Sequence, residues 1–300
     1  MYSSALFLFL GCVESFDLEL DKAKPRLVIQ GLIENNAGPH YIRITQSNKG
    51  MSNIPIRSFE NGSFYTENEK IIEDATVIIS DDTGQEEQLT LLVDIDEYKG
   101  KGFYKTTNFI GVVGRTYSIK VTTKEGEIYE ASDYMHPISE IESIKFEKTI
   151  GDIGKPDDYA PILYFKDPQE NEENRYLIQF REEERSRGND NCWCEYLWRF
   201  AILSDKYFHP EKTGVSVDNG VGPNDFSWSG HYHLGMRVYI RMNSLSDQSY
   251  TYYRSLLEQF QQDGGAYKPS PASPPTNISN GGLGFFRASA FVEVETIAKE

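Results

Sequence analysis

The sequence predicts a mostly β protein: an N-terminal Ig-like or transthyretin-like antiparallel sandwich, followed by a second β-rich domain with one helix. Short runs of β-branched and aromatic residues recur along the chain, separated by polar turns that contain Gly, Asn or Asp. Aromatic residues make up 13% of the chain, which favours a folded protein with a substantial core. Only one segment has the apolar spacing of an amphipathic helix.

The first domain is predicted over residues 26–137, where short strands alternate between apolar and polar side chains. In the strand at 40–45, Ile42 and Ile44 share one face while Tyr41 and Arg43 share the other. Turn sequences such as the one at 124–127 separate neighbouring strands, as expected of an antiparallel sandwich. The predicted strands are 26–33, 40–45, 75–80, 89–95, 102–105, 116–122 and 128–131.

Residues 49–70 interrupt this pattern, because they are polar and have no clear period. Loops of this length in compact domains are usually functional or mobile. Its aromatic side chains, Phe59, Phe64 and Tyr65, are therefore candidates for contact with a partner or ligand. The alternative is a variable insertion without a function of its own.

The second domain is predicted over residues 138–300. A loop at 151–161 contains two prolines, and the Gly-rich residues 281–284 are expected to form a tight turn or bulge before the last strand. The predicted strands are 138–146, 162–165, 176–181, 193–203, 238–242 and 291–296.

The predicted helix spans about residues 247–262 in this second domain. Tyr250, Tyr253 and Leu257 begin a stripe with helical spacing that continues to residue 260. Ser246 or Asp247 can cap the N-terminus. Two glycines at 264–265 are suited to ending the helix.

The N-terminus predicts a lipid anchor. An apolar run at residues 5–11 is too short to span a bilayer but has the length of a signal-peptide core. A small residue then precedes Cys12, which is the arrangement that a bacterial lipoprotein peptidase cleaves. We therefore expect residues 1–11 to be a signal peptide and Cys12 to carry lipid. The alternative is a buried N-terminal strand with a free thiol.

Residues 12–25 are expected to form an acidic tether. Glu14, Asp17 and Glu19 follow the anchor directly and resemble the surface-export signal of Bacteroidota lipoproteins. The alternative is a solvated linker without an export role. The prediction is a location at the outer membrane, lipid-anchored and facing the extracellular side, with the lipid as the membrane attachment.

The net charge of −16 excludes two classes of partner. Residues 1–137 and 138–300 each carry a net charge of −8, so acidity is a property of the whole surface. Nucleic acid is not expected as a partner, because phosphate binding needs a basic face. The charge also argues against attachment to anionic lipid through basic residues.

Two cysteines remain besides Cys12, in a Cys-Trp-Cys sequence. Cys192 and Cys194 would share one face of a strand, with Cα atoms near the upper limit for a disulfide. A strained disulfide is the first interpretation, and free or packed thiols are the second. A metal pair is the third, although a second cysteine pair at zinc spacing is missing.

No motif in the sequence predicts catalysis or a cofactor. The Gly-x-Ser-x-Gly elbow, the His-Glu-x-x-His helix and the P-loop are all absent. His231 and His233 resemble half of a metal site, but an exposed strand edge is the favoured interpretation. We expect no enzyme activity, no catalytic residue and no bound metal. Calcium is a minor alternative, because acidic residues cluster without EF-hand spacing at Asp81, Asp82, Asp94, Asp96 and Glu97.

An aromatic stretch lies in the second domain. Phe226, Trp228 and Tyr232 are flanked by Gly and Ser, which is typical of loops that contact proteins or glycans. We treat them as candidate partner or ligand contacts, with burial in the core as the alternative.

Four segments carry a resemblance to a known family: residues 25–34 (PRLVIQGLIE), 74–81 (DATVIISD), 111–117 (GVVGRTY) and 275–286 (PTNISNGGLGFF). The chain resembles, over nearly its full length, the Bacteroidota lipoprotein family catalogued as domain of unknown function 4249. The last motif is the most specific. The sequence departs from the family in its uncharged signal and at Arg287, where a small residue is commoner.

The resemblance implies an outer-membrane surface lipoprotein of a kind that is often paired with TonB-dependent transporters or other large β-barrel complexes. It supplies no catalytic residues. The expected function is that of a non-enzymatic accessory subunit, acting as lid, docking or assembly factor of a barrel complex such as a TonB-dependent transporter or the barrel-assembly machinery. The alternative is a ligand-capture lipoprotein for uptake of a glycan or peptide nutrient, and a hydrolase is the least favoured class.

Overall fold

The computed structural model of the protein is mostly β, as predicted, with several antiparallel sheets and one α-helix among the residues it describes. These residues are 24–47, 57–58, 64–65, 70–92, 102–148, 159–168, 172–182, 199–207, 214–216, 234–261 and 273–299.

The first half of the chain folds into short strands that match most of the predicted segments. They are β1 (Leu27–Glu34), β2 (Tyr41–Gln46), β3 (Arg57–Ser58), β4 (Phe64–Tyr65), β5 (Lys70–Ile71), β6 (Thr76–Asp81), β7 (Glu86–Gln88), β8 (Thr90–Leu91), β9 (Phe103–Lys105), β10 (Thr116–Thr122) and β11 (Ile128–Tyr134).

The second half contributes further strands and the helix. They are β12 (Ile141–Lys148), β13 (Tyr159–Phe165), β14 (Arg175–Glu182), β15 (Arg199–Ser204), β16 (Val215–Ser216), β17 (Arg237–Leu245), α1 (Asp247–Gln261), β18 (Leu283–Ser289) and β19 (Phe291–Ile297).

Two sheets enclose the first hydrophobic core. Sheet I has the order β18-β1-β2-β9-β8, with β5 also paired to β2, and sheet II has the order β11-β10-β6-β7. The alternation noted in the sequence directs one side of each strand inward, so Ile29, Ile42 and Ile44 of sheet I meet Val77 and Ile119 of sheet II. The result is a two-layer, sandwich-type arrangement.

A second core lies between two further sheets. Sheet III has the order β12-β13-β16, and sheet IV has the order β15-β14-β17-β19. Leu163 and Phe165 from sheet III pack with Ile178, Ile240 and Met242 from sheet IV, all of them buried. The second half is therefore β-rich as predicted, with its own apolar centre.

Helix α1 follows β17 directly and confirms the helix prediction. Its N-terminus is capped by Ser246, whose hydroxyl accepts a hydrogen bond from the Ser249 N–H at 3.2 Å. The predicted apolar stripe, including Tyr250, Tyr253 and Leu257, packs against the buried Leu177 and Leu245.

Strand β18 was missing from the sequence prediction, which placed only a turn before the last strand. The turn is present at 279–281, but it leads into β18, which pairs with β1 in parallel. Phe286, Ala288 and Ala290 belong to the first core although they lie in the predicted second domain. The boundary at 137/138 stays a prediction, and the structure adds that the segment 278–290 packs with the first half of the chain.

Gly284 explains why β18 can pair so closely with β1. Its φ is +85°, a conformation that favours glycine, and a Cβ there would collide with the carbonyl oxygen of Ile29. The glycine therefore permits a close backbone approach inside the sheet rather than ending the strand.

Two segments predicted as loops contain short or unexpected strands. Pro161 lies within β13, where the sequence predicted a loop up to that residue. It pairs with Phe146 on β12, while β16 pairs only with Ile162 and Leu163, so the proline lies beyond the end of the β16 pairing. Within the long loop predicted at 49–70, β3 and β4 form a small hairpin.

Candidate functional site

Most residues that the sequence singled out for function lie outside the described residues. This holds for the lipid anchor, the export signal, the cysteine pair, the histidine pair and most aromatic contact candidates, all of which stay predictions. They are Cys12, Glu14, Asp17, Glu19, Phe59, Cys192, Cys194, Phe226, Trp228, His231, Tyr232 and His233. The backbones of Phe64 and Tyr65 form β4.

Asp81, one of the candidate calcium ligands, serves a turn. It accepts hydrogen bonds from the N–H groups of Thr83 (2.9 Å) and Gln85 (3.0 Å), and Arg115 forms an ion pair with it at 2.6 Å. Burial alone would raise the pKa of Asp81, but these hydrogen bonds and Arg115 lower it. Among the described residues, no group of three His, Cys, Asp or Glu side chains is arranged to hold a metal ion.

An exposed apolar loop precedes β10 and is held rigidly. Ile110, Val112 and Val113 have exposed fractions of 51%, 40% and 39%. The buried Tyr117 hydroxyl accepts a hydrogen bond from the Val112 N–H at 2.6 Å and donates one to the Val112 carbonyl at 3.0 Å. This resembles the tyrosine corner of β-sandwiches, and it gives the Gly-x-x-Tyr motif at 114–117 a structural role.

Contacts at Gly111 and Gly114 also hold the loop that precedes β10. A Cβ at Gly111 would collide with the backbone carbonyl of Glu34, so the loop backbone lies directly on the end of β1. The exposed Tyr134, at 38%, lies beside Gly114. We name the surface formed by Ile110, Val112, Val113 and Tyr134 the apolar tip.

Residues 276–280 join the edges of sheets I and II, and we name them the clasp. The Asn277 amide donates to the carbonyls of Phe286 (2.7 Å) and Ser132 (3.1 Å), and its oxygen accepts from the Phe286 N–H at 3.0 Å. One side chain therefore bonds to β18 and β11 together.

A second part of the clasp extends β11. The Ser279 N–H donates to the Glu130 carbonyl at 2.8 Å, and the Ser279 hydroxyl accepts from the Glu130 N–H at 2.7 Å. Ile278 points into the first core and is buried. The most specific family motif, 275–286, thus closes the sandwich through its own backbone and side-chain bonds.

Buried polar side chains meet where α1 begins. Asp133 at the end of β11 forms hydrogen bonds with the Ala288 N–H (3.0 Å) and the Ser246 hydroxyl, and it interacts electrostatically with Arg287. Burial raises the pKa of Asp133 to about 6, against the lowering effect of these partners. The site contains an acid whose charge changes near neutral pH.

An ion pair links the two halves of the chain close to the apolar tip. Arg241 on β17 pairs with Glu34 at the end of β1 and with Glu293 at 2.7 Å, and its guanidinium lies 3.8 Å from the centre of the Phe291 ring. The Asn35 side chain accepts from the Phe291 N–H at 2.8 Å. These contacts connect β1 to sheet IV.

The outer face of sheet I is unusual for a buried surface, because it carries arginines and aromatic rings. In register across the strands, Phe285 pairs with Gln30, Gln30 with Arg43, and Arg43 with Phe103. Arg43, Phe103, Phe285 and Arg287 are all at most 5% exposed. We name Gln30, Arg43, Phe103, Phe285 and Arg287 the cationic face.

Helix α1 covers one end of the cationic face. The Tyr252 ring stacks on Phe285 with centroids 4.9 Å apart, and the Arg287 guanidinium lies 5.0 Å from the centre of the Tyr253 ring. In the sequence, Arg287 stands out only as a departure from the family pattern, and this departure is the one signal that points to the cationic face.

Comparison with known proteins identifies the family of the chain. Residues 13–295 match the family described as Domain of unknown function (DUF4249), and no curated protein matches the chain. Among the described residues, no helix has both the length and the apolar character needed to cross a bilayer.

Proposed function

Since the chain belongs to this family, we propose that it is a non-enzymatic cell-surface lipoprotein of Bacteroidota. Its proposed role is that of accessory subunit, as lid, docking or assembly factor, of an outer-membrane β-barrel complex such as a TonB-dependent transporter or the barrel-assembly machinery. The anchor at Cys12 and the acidic residues Glu14, Asp17 and Glu19 support the location.

The apolar tip is the observation that carries the docking role. Side chains of this size are usually buried, and a cluster of them held rigidly at the surface marks a contact site. Tyr117 and Glu34 fix the loop before any partner arrives, so little conformational entropy is lost on docking. The ion pair between Glu34 and Arg241 keeps the neighbouring half of the chain in place.

Affinity purification of the lipidated protein in mild detergent tests the docking role. We expect a β-barrel protein to be recovered with the wild-type chain and lost from a Val112→Ser, Val113→Ser double variant. Ile128→Ser is the matched control, because Ile128 is also exposed (46%) but lies at the other end of β11. Recovery of the wild-type chain alone, or equal recovery of the barrel with the double variant, would contradict the role.

A separate experiment tests the location. Added protease should degrade the protein on intact cells, and Cys12→Ala should release it from the membrane fraction. Replacing Glu14, Asp17 and Glu19 with Ala should leave the protein anchored but protected from protease. Protection of the wild-type protein in intact cells would contradict surface display.

Capture of a nutrient such as a glycan or peptide is the second candidate function. The cationic face favours it, because binding sites for small molecules combine aromatic walls with a few convergent polar groups. Arg43 and Arg287 would then provide the polar groups.

A further inference from the structure

Arg287 is a buried cation whose hydrogen-bonding capacity is not met. It is 2% exposed, and its Nε and Nη1 atoms have no hydrogen-bond partner. The side-chain oxygen of Gln30 is also buried without a partner. Buried donors of an ionised group are almost always paired in folded proteins, so each exception requires a physical explanation.

The fold brings these two groups to the same place. Gln30 pairs with Phe285 on the adjacent strand, and Arg287 lies two residues further along β18. Residues two apart share a face of a strand, and side chains as long as Arg and Gln reach such diagonal neighbours. The unpaired donors of Arg287 and the unpaired acceptor of Gln30 therefore lie on the outer face of sheet I, where β1 pairs with β18.

Asp133 does not provide the missing hydrogen-bond acceptor for Arg287. Its carboxylate forms hydrogen bonds with the Ala288 N–H and with Ser246, and although it attracts the Arg287 guanidinium electrostatically, it accepts no hydrogen bond from Nε or Nη1. In this structure the face of the Tyr253 ring lies against the guanidinium, which is a weaker partner than a carboxylate.

We propose that the cationic face beneath α1 is a binding site for a small organic anion, with a carboxylate attached to a flat apolar body. The carboxylate would accept hydrogen bonds from Arg287, while Gln30 would bind a donor on the same ligand. Phe285 and Tyr252, already stacked on each other, would contact the apolar body.

Binding requires α1 to move, because it covers Arg287. From Tyr250 to Gln259 no side chain of the helix is fully buried, whereas β17 and β18 beside it carry several buried residues. An element whose side chains are only partly buried opens at a lower free energy than the strands beside it, which carry fully buried side chains. The helix is therefore the part of the site that can open, and the strands remain in place. This inference does not depend on the docking role, since it concerns the isolated chain.

Titration calorimetry of the purified full chain with benzoate tests the site. We expect saturable binding of benzoate, at least about 10-fold weaker binding to Arg287→Ala, and unchanged binding to Arg254→Ala on the exposed side of the same helix. Benzamide, the uncharged counterpart, should bind at least about 10-fold more weakly than benzoate. Inorganic phosphate should also bind more weakly, because it lacks the apolar body.

Three calorimetric outcomes would overturn the proposal: absence of benzoate binding, equal binding of benzamide or phosphate, or full binding by Arg287→Ala. Circular dichroism checks that the Arg287→Ala variant is folded. If it is unfolded, Arg287→Gln is used in its place, because this variant removes the charge but keeps most of the side-chain volume. Hydrogen exchange is the second measurement. Backbone amides of residues 250–259 should exchange faster than those of β17, and their exchange should slow when benzoate is added. Equal exchange rates in the helix and in β17 without benzoate would contradict the opening of the helix.

Discussion

The two faces of sheet I are built from alternate residues of the same strands, yet they differ completely in chemistry. The inner face is formed by Ile29, Ile42, Ile44 and Phe286, all 0% exposed. The outer face carries Gln30, Arg43, Phe103, Phe285 and Arg287, and all of these except Gln30 are at most 5% exposed. Burial of apolar side chains stabilises the inner face, whereas burial of the arginines of the outer face contributes little net stability. Equal burial therefore need not mean an equal role in stability.

Adjacent residues on β18 provide the strongest test of this difference. Phe286→Ala should lower the free energy of unfolding by about 3–5 kcal/mol, since it leaves a cavity in the first core. Arg287→Ala should lower it by less than about 1 kcal/mol, because lost packing is offset by removal of unmet donors. Urea unfolding measures both. Similar losses for the two variants would show that the outer face is also a structural core.

The close approach of β18 to β1 gives the next largest effect. Gly284→Ala should cost about 2–4 kcal/mol in urea unfolding, because the methyl group meets the Ile29 carbonyl and the residue has positive φ. Gly84→Ala is the matched control: its φ is +90°, but open space surrounds the position. It should cost about 1 kcal/mol. Equal costs would mean that conformation alone, without collision, accounts for the glycine.

Asp133, which accepts a hydrogen bond from the Ala288 N–H on β18, makes the stability of this region depend on pH. Burial raises its pKa to about 6 from 3.8, so its stabilising contribution is complete below about pH 3.8 and is lost as the pH rises through 6. Asp133→Asn keeps an acceptor but does not titrate. Relative to wild type, its free energy of unfolding should therefore increase by about 2 kcal/mol between pH 4 and pH 7.5.

The measurement is urea unfolding of the wild type and of Asp133→Asn at pH 4 and at pH 7.5. Burial lowers the pKa of His40 to about 4, which destabilises the fold as the pH falls below 6.5. The contribution of His40 is the same in the wild type and in Asp133→Asn, so it cancels in the difference between their free energies of unfolding. A difference between the chains that does not change with pH would show that Asp133 keeps its ordinary pKa.

The smallest expected effect concerns a polar group within the first core. Tyr117→Phe removes the hydroxyl that bonds to both backbone groups of Val112, and we expect a loss of about 1 kcal/mol in urea unfolding. Faster hydrogen exchange at Val112 and Val113, with unchanged exchange in β6, would place the effect in the loop. Tyr129→Phe is the control, since its hydroxyl donates to the Glu127 side chain and not to the loop at 110–115.

Alternation made most of the fold predictable from the sequence. Residues 116–122 read as a strand and form β10 with the same bounds, because one face is buried and the other is polar. The helix at 247–261 was equally clear, since its apolar stripe and the Ser246 cap agree. Strand β18 was missed for the opposite reason: both of its faces are buried, so its sequence shows no alternation.

The candidate sites were much harder to predict. The apolar tip reads like part of a strand, and only the glycines at 111 and 114 and the later Tyr117 indicate a fixed loop. The cationic face depends on which strands pair, and the parallel pairing of β1 with β18 cannot be read from local pattern. Arg287 was visible only as an unexpected residue in a motif, because its burial is a consequence of that pairing.

The pairing of β1 with β18 also sets the order in which the molecule can form. The Arg26 side chain bonds to the Gly281 carbonyl 255 residues later in the chain, and the clasp and β18 are made only after β17 and α1 have been synthesised. Contacts of such sequence separation form slowly, because a very long loop must close first. The first sandwich therefore waits for the last strands, and a chain cut before residue 275 would leave the edge of β1 open to unwanted pairing.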